Sequence, residues 1–294
     1  MGITSTPLDR PMVDTLTPVS TLSRQSRHHR GLARFDLAGR TAIVTGGAVG
    51  LGRIGAQVLA EAGADVAIVS RNFAKAEATA DHIAATYARR TLPLQADITD
   101  EAQVGRMVEQ AVDTFGRLDI LINGAAAPRK IASVQEHTLD DLRQAIETNL
   151  IGAYLASRAA GASMIEQRWG RIINIGSVFS FLGVPDRIAY VISKGGLPQL
   201  TRGLAAEWAD YGVNVNMIAP GAFDTPVNEP IKQNERALAR LLARVPLNRF
   251  GRPEEIAGPI LLLASEASSF ITGAMLTVDG GWTAAGWETS HHDE

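Results

Sequence analysis

The chain has 294 residues, 46% of them hydrophobic and 20% charged, which excludes a wholly disordered polypeptide and leaves room for one large α/β domain or two small ones. A formal net charge of -3 gives no general attraction to nucleic acid or anionic lipid. With no cysteine, the chain has no disulfides, thiolate metal sites or cysteine nucleophile, and no apolar run approaches the ~20 residues of a membrane helix.

Residues 1–35 are rich in Ser, Thr and Pro and carry Arg24, Arg27, Arg30 and Arg34 without an acid after Asp14. Asp9 and Asp14 argue against an organelle-targeting peptide. We therefore expect a flexible or partner-docking extension on a cytoplasmic protein, with organelle import as the alternative. From Arg40 onward, β-branched runs at 41–45, 65–70, 91–96, 118–123, 170–177, 213–218 and 274–278 alternate with helix-like segments at 50–62, 73–90, 100–115, 138–168, 189–211 and 253–264. This alternation predicts β-α-β units, hence a single α/β domain over 36–283: a doubly wound parallel sheet of about seven strands with helices on both faces. Residues 284–294 are left as a tail.

After the first strand comes Thr45-Gly46-Gly47-Ala48-Val49-Gly50-Leu51-Gly52, which opens the first helix. Gly46, Gly50 and Gly52 are spaced one residue wider than the Gly-x-Gly-x-x-Gly dinucleotide fingerprint, and the loop amides with the helix N-terminus suit a pyrophosphate. A tight structural turn is the competing reading. The second strand ends at Ser70-Arg71-Asn72, where an acid would bond the adenosine ribose of NAD. Ser70 instead leaves room, and the Arg71 guanidinium suits a 2′-phosphate, so NADP(H) is expected, with NAD(H) as the alternative.

Tyr190 and Lys194 form Tyr-x-x-x-Lys and share one helix face. A tyrosine, with an ordinary pKa of about 10, is a poor base near neutrality unless a cation stands beside it. Lys194 is spaced to be that cation. Taken with Thr45–Gly52, Asp97, Asn123-Gly124-Ala125, Asn149, Ser177, Pro220-Gly221, Gly251–Glu255 and Val278–Gly281, the order and spacing resemble the short-chain dehydrogenases/reductases over about residues 36–282.

The resemblance implies a Rossmann-type fold, a homo-oligomer that is most often a tetramer, and hydride transfer between a nicotinamide cofactor and a secondary alcohol or ketone. It implies a catalytic tetrad of Asn149, Ser177, Tyr190 and Lys194. In it Tyr190 is the general acid/base, Ser177 holds the substrate oxygen, Lys194 bonds the nicotinamide ribose and favours the phenolate, and Asn149 holds a relay water. Cofactor contacts are implied for Thr45, Gly46, Gly50, Leu51, Gly52, Ser70, Arg71, Asn72, Asp97, Ile98, Asn123, Gly124, Ala125, Tyr190, Lys194, Pro220, Gly221 and Thr225. Asp97 would bind the adenine, Asn123 the adenosine side and Thr225 the carboxamide; a helix cap near Asp100 is the plainer role for Asp97.

Gly124 and Ala126 replace the second Asn and the Gly usual in the family, as in some enoyl-CoA and dienoyl-CoA reductases. Reduction of a conjugated enoyl thioester is thus an alternative, as is a catalytically silent cofactor-binding scaffold. The substrate loop is expected at 222–244, beyond the carboxyl ends of the strands. Arg129 and Lys130 follow the fourth strand, and Arg236, Arg240 and Arg244 share a helix face that reads first as solvated and second as a substrate contact. These cations favour a sugar acid, with a polyol or a 3-oxoacyl thioester as alternatives. The substrate candidates are Arg129, Ser177, Phe179 and Arg236, with Phe181, Leu182 and Val184 on the apolar side. His28, His29, His291 and His292 lack a carboxylate or cysteine framework, so no metal is expected.

Overall fold

The computed structural model describes residues 31–285. Most of the leader, nearly all of the tail and the four terminal histidines lie outside the described residues. Residues Leu32–Phe35 form a 3₁₀ turn that leads into the domain.

Seven strands make one sheet, in the order β3-β2-β1-β4-β5-β6-β7, with every neighbouring pair parallel. They are β1 (Thr41–Thr45), β2 (Asp65–Ser70), β3 (Thr91–Gln95), β4 (Ile120–Asn123), β5 (Gly170–Ile175), β6 (Val213–Pro220) and β7 (Met275–Val278). The helices between them are α1 (Gly50–Glu61), α2 (Phe73–Tyr87), α3 (Glu101–Phe115), α4 (Leu139–Ile146), α5 (Gly152–Glu166), α6 (Ile188–Trp208), α7 (Glu229–Lys232), α8 (Glu235–Leu242) and α9 (Ala257–Ala264). This is the Rossmann-type architecture that the alternation predicts. Among the described residues, no helix is long and apolar enough to cross a membrane.

The strands are apolar on both faces because both faces are covered. Ala42 and Val44 point into one core with Leu59, Ile83 and Ile260, while Ile43 points into the other with Met107, Leu155 and Trp208. This is the period-two alternation of a strand. All five β1 residues are buried, and each large aliphatic among them contributes about 1.5–3 kcal/mol by leaving water.

Several boundaries differ from the sequence expectation, each for a local reason. Asp100 lies outside α3 as its N-cap, accepting from the Gln103 amide at 3.0 Å. α2 stops at Tyr87 because Ala88 turns left-handed at φ 52°. β5 stops at Ile175, so Ser177 stands past the strand at the head of a 3₁₀ turn. The helix expected over 138–168 is instead α4, a π turn at Glu147–Ile151, and α5. One inserted residue does not disturb the apolar pattern enough to be read from it. α6 ends at Trp208, followed by a 3₁₀ turn at Ala209–Tyr211, and residues 253–256 are 3₁₀ rather than α.

The winding reverses between β1 and β4, where the register pairs Thr45 with Asn123. The loops leaving those two strands therefore emerge side by side at the carboxyl edge, the place where open α/β sheets bind ligands.

Candidate active site

At that switch point three glycines remove the side chains that would block a close approach. Gly46 is left-handed, at φ 67°, and a Cβ on it would lie 2.8 Å from the Ala125 backbone. A Cβ on Gly52 would lie 2.3 Å from the Gly46 carbonyl oxygen, and one on Gly124 would lie 2.8 Å from the Thr45 oxygen. The departure at Gly124 thus has a steric reason in this chain. α1 starts behind this loop with Val49 at its N-cap and no side chain on the first-turn amides, so the helix N-terminus presents bare donors. A glycine cradle in front of an uncapped helix suits a pyrophosphate, and the tight-turn reading leaves those amides unexplained.

Thr45 is buried and serves the loop itself. Its hydroxyl donates to the Ile122 carbonyl at 3.3 Å and accepts from the Gly124 amide at 3.2 Å. Asn123 is likewise internal: its amide nitrogen reaches Ser157 and Asn174 at 2.9 Å, while its buried side-chain oxygen has no partner. Ile98 sits under α5 against Gly152, inside the core. These three residues shape the cradle from below.

Further along the edge, a depression of about 380 Å³ is lined by Arg71, Gln95, Asp97 and Gln103. Arg71 is exposed at its rim, and the Gln95 amide donates to the Arg71 carbonyl at 3.0 Å. Asn72 caps α2 by accepting from Lys75, and the Ser70 hydroxyl accepts from the Asn72 amide at 3.1 Å, so both hold the turn that presents Arg71. Asp97 does not cap α3; one carboxylate oxygen accepts from the Thr99 amide and hydroxyl, which leaves the other toward the depression. No acid replaces Arg71 at the strand end, so the donor set fits a phosphorylated adenosine ribose. A separate cavity of about 140 Å³ behind Pro220-Gly221 touches none of the catalytic candidates.

Side-chain bonds between distant elements link Asn149 to α6 and Lys194 to the end of β5, while Ser177 is tied within its own turn. The Asn149 side chain, held by the π turn, accepts from the Ala127 amide at 2.8 Å and donates to Ser193 at 2.9 Å. Ser193 in turn donates to the Tyr190 carbonyl at 2.9 Å. Both ends of the Asn149 amide are engaged, so its side chain joins the β4 loop to α6. Lys194, 4% exposed, donates to the Ile175 carbonyl at 2.7 Å, which places its ammonium beside the end of β5. Burial, reinforced by the charge of Arg129, lowers the Lys194 pKa to about 8. The Ser177 oxygen accepts from the Phe179 amide at 3.2 Å, which leaves its proton available to an incoming oxygen.

Around Tyr190 lies an aromatic and cationic wall. Phe179 meets Tyr190 edge-on at 6.4 Å and Trp282 at 5.6 Å. The Arg129 guanidinium lies 5.8 Å from the centre of the Tyr190 ring and is anchored to Asn228 Oδ1 at 2.8 Å and the Val227 carbonyl at 3.1 Å. Arg129 therefore ties the β4 loop to the substrate loop, which contains a 3₁₀ turn, α7 and α8. Thr225, buried at the head of that loop, donates to the Phe223 carbonyl at 3.5 Å, and the Gly221 amide bonds Val278 at 3.0 Å after Pro220 closes β6. Arg236 and Arg240 are exposed on α8, while Arg244 lies past its end; among the described residues none of the three side chains has a hydrogen bond or ion pair. They form the solvated face, and Arg236 is not brought to Tyr190 by any contact.

Trp282, Asn228, Ser193 and Arg187 belong to this neighbourhood without having been singled out from the sequence. Only Arg187 had a signal there, as the charge three residues before Tyr190. Among the described residues, no group of three or more His, Asp or Glu is arranged to hold a metal ion.

Comparison with known proteins agrees with this geometry. The sequence profile of a family described as Enoyl-(Acyl carrier protein) reductase matches residues 46–283. The 2-dehydro-3-deoxy-D-gluconate 5-dehydrogenase of Escherichia coli (strain K12) is 38% identical over 254 residues, 86% of this chain and 99% of the relative. The galactitol 2-dehydrogenase of Rhizobium johnstonii is 36% identical over 255 residues, 85% and 97% of the two chains. A gluconate 5-dehydrogenase from Burkholderia cenocepacia J2315, solved in complex with NADP and tartrate, superposes with a TM-score of 0.83 at 36% identity, covering 86% of this chain and 99% of its own.

Proposed function

The chain belongs to the short-chain dehydrogenase/reductase family, and on that premise we propose that Tyr190 is the proton donor and acceptor of its reaction. The protein is an NAD(P)-dependent oxidoreductase acting on CH–OH groups, interconverting a secondary alcohol and a ketone. The bound dinucleotide supplies the hydride donor or acceptor. Everything else falls to the chain itself. The glycine cradle and the α1 N-terminus hold the pyrophosphate, and Arg71 favours NADP(H) over NAD(H) by its reach toward a 2′-phosphate.

The observation that supports the reading is that Phe179, bonded to Ser177, meets the Tyr190 ring at 6.4 Å while Lys194, one turn on from Tyr190, is buried against the Ile175 carbonyl at the end of β5. Ser177 donates its free proton to the reacting oxygen. Tyr190 gives its phenolic proton to that oxygen during ketone reduction and takes one back during alcohol oxidation. Lys194, cationic below about pH 8, stabilises the phenolate left behind. Asn149 is a positioning residue, holding the β4 loop and α6 in register through Ala127 and Ser193.

For the substrate we propose a sugar acid or a polyol, as the relatives' names indicate, with Arg129 and Phe179 lining its site. A 3-oxoacyl thioester is the competing substrate. A homotetramer in the cytoplasm belongs to the same reading; exposed Leu139 and Tyr154, on the α4 and α5 helices, are apolar side chains that subunit contact would cover. Sedimentation velocity tests that state directly.

The enzymatic test is nicotinamide absorbance of the protein with NADP(H) and NAD(H) against sugar acids, polyols, 3-oxoacyl thioesters and enoyl thioesters. Turnover of a hydroxy or keto acid that disappears in Tyr190→Phe is the expected result. Turnover only with an enoyl thioester, or turnover that survives in Tyr190→Phe, would overturn the reading.

A further inference from the structure

Arg187 ends the turn before α6 and is its N-cap residue, with extended φ −141° and no capping bond from its side chain. The first turn of α6 closes from the Val191 amide to the Arg187 carbonyl at 3.0 Å, so Arg187 and Tyr190 belong to one helical turn. The neighbouring Asp186 is held at φ 62°, and its carbonyl accepts from the Ala132 amide at 3.0 Å. That bond fastens the Arg187 turn to the segment that carries Arg129. With Arg129 5.8 Å from the Tyr190 ring and Arg187 three residues before Tyr190, the Arg187 charge acts on both Arg129 and Tyr190.

The two guanidinium groups differ in what satisfies them. Arg129 spends one nitrogen on Val227 and Asn228 and keeps its remaining donors. Arg187 is partly buried, and among the described residues its side chain has neither a hydrogen bond nor an ion pair. Asp186, the acid beside it in sequence, makes no salt bridge to it. Burial first and the charge of Arg129 second act against the Arg187 cation, and the smaller opposing pull of Tyr190 and Asp186 does not offset them. A partly buried, unpaired guanidinium repelled by a second one is a cost to the fold, and a bound anion removes it.

We propose that Arg187 and Arg129 jointly bind the substrate's carboxylate, with Arg187 deciding selectivity for an anionic over an uncharged polyol. This rests on the reading of the site as a hydroxy-acid or keto-acid dehydrogenase and names how it recognises its substrate. The planar fork of each guanidinium matches one carboxylate, and neither oxygen of that carboxylate then needs water. Arg129, tied to Asn228, supplies the fixed side of the clamp. Arg187, with no internal bond to break, supplies the side whose full hydrogen-bonding capacity goes to the ligand.

The test is calorimetric titration of the full-length protein, saturated with NADP⁺, with D-gluconate and with tartrate, against glucitol and threitol as their uncharged counterparts. Arg187→Met keeps the length and removes the charge. We expect it to weaken binding of the acids about 10- to 100-fold. Affinity for NADP⁺ and for both polyols should be unchanged, and Arg187→Lys should recover part of the loss. Acid binding by the wild type should weaken with added salt, and that of Arg187→Met should weaken less, because only the Arg129 charge remains. A fall in polyol or NADP⁺ affinity matching the fall for the acids would mark Arg187 as merely structural and overturn the proposal. So would equal acid binding by wild type and Arg187→Met, or no saturable binding of either acid by the wild type. Because Tyr190→Phe removes a hydroxyl and no charge, it should still bind gluconate, so a failure of the acid/base assignment is read from turnover and a failure of the carboxylate clamp from this titration.

Discussion

The cofactor side of the cleft and the substrate side are built by opposite means. Around Gly46, Gly52 and Gly124 the site is made of backbone, and its shape depends on side chains that are not there. Around Tyr190 it is made of long side chains from three places in the chain, Arg129, Phe179 and Trp282, held by hydrogen bonds and ring contacts. A backbone cradle tolerates almost no substitution but fits any dinucleotide of the same phosphate geometry. A side-chain wall can be altered residue by residue, which is how one fold comes to serve many alcohols.

The sharpest way to break this contrast is to place a side chain in the cradle. Gly52→Val would bring its Cβ to 2.3 Å from the Gly46 oxygen, so the loop must move. We expect NADPH affinity, followed by nicotinamide fluorescence, to fall by about 100-fold or more. An unchanged affinity would show that the cradle is not where the phosphates sit. Next in size is Arg71→Ala, which should weaken NADPH by about tenfold and leave NADH nearly unaffected, since only the 2′-phosphate is lost as a partner. Equal weakening of both cofactors would remove the basis for the NADP preference.

On the substrate side, Asn149→Ala deletes bonds to Ala127 and Ser193 from the one buried side chain of the π turn. A cost of about 1–3 kcal/mol in urea unfolding is expected, with kcat lowered and cofactor affinity retained. Loss of cofactor affinity with intact kcat would place Asn149 on the wrong side of the comparison. The smallest effect is on pH dependence. Lys194 is held to about pKa 8 by burial first and Arg129 second, so it loses its charge as pH rises through that value. kcat for ketone reduction should decline there, and in Arg129→Met the midpoint should move upward because one of the two pressures on the ammonium is gone. A downward shift would contradict the assigned cause.

The two sides were also unequally legible in the sequence. The glycine spacing, the missing acid at Arg71 and the strand alternation are local patterns, and each led to the right element because backbone geometry is set within a few residues. Tyr190 and Lys194 were readable for the same reason, being one helical turn apart. Asn149 was found by position, but its engagement with Ala127 and Ser193 depends on a π turn that apolar periodicity does not display. Trp282 was missed because what brings it against Phe179 is the packing of loops far apart in sequence, whereas Arg187, one helical turn from Tyr190, was within reach of the same spacing argument and was passed over. Arg236 and Arg240 stand exposed on α8, in keeping with the solvated-face reading of their spacing.

The central claim is that one phenol carries the proton while the backbone cradle carries the cofactor, independently of each other. The most direct test measures kcat and NADPH affinity together in Tyr190→Phe, on the substrate found by the activity panel. The account predicts that kcat falls by about 100-fold or more while NADPH affinity stays at the wild-type value. A variant that still turns over at near the wild-type rate, or one that loses turnover only because it no longer binds NADPH, would contradict it.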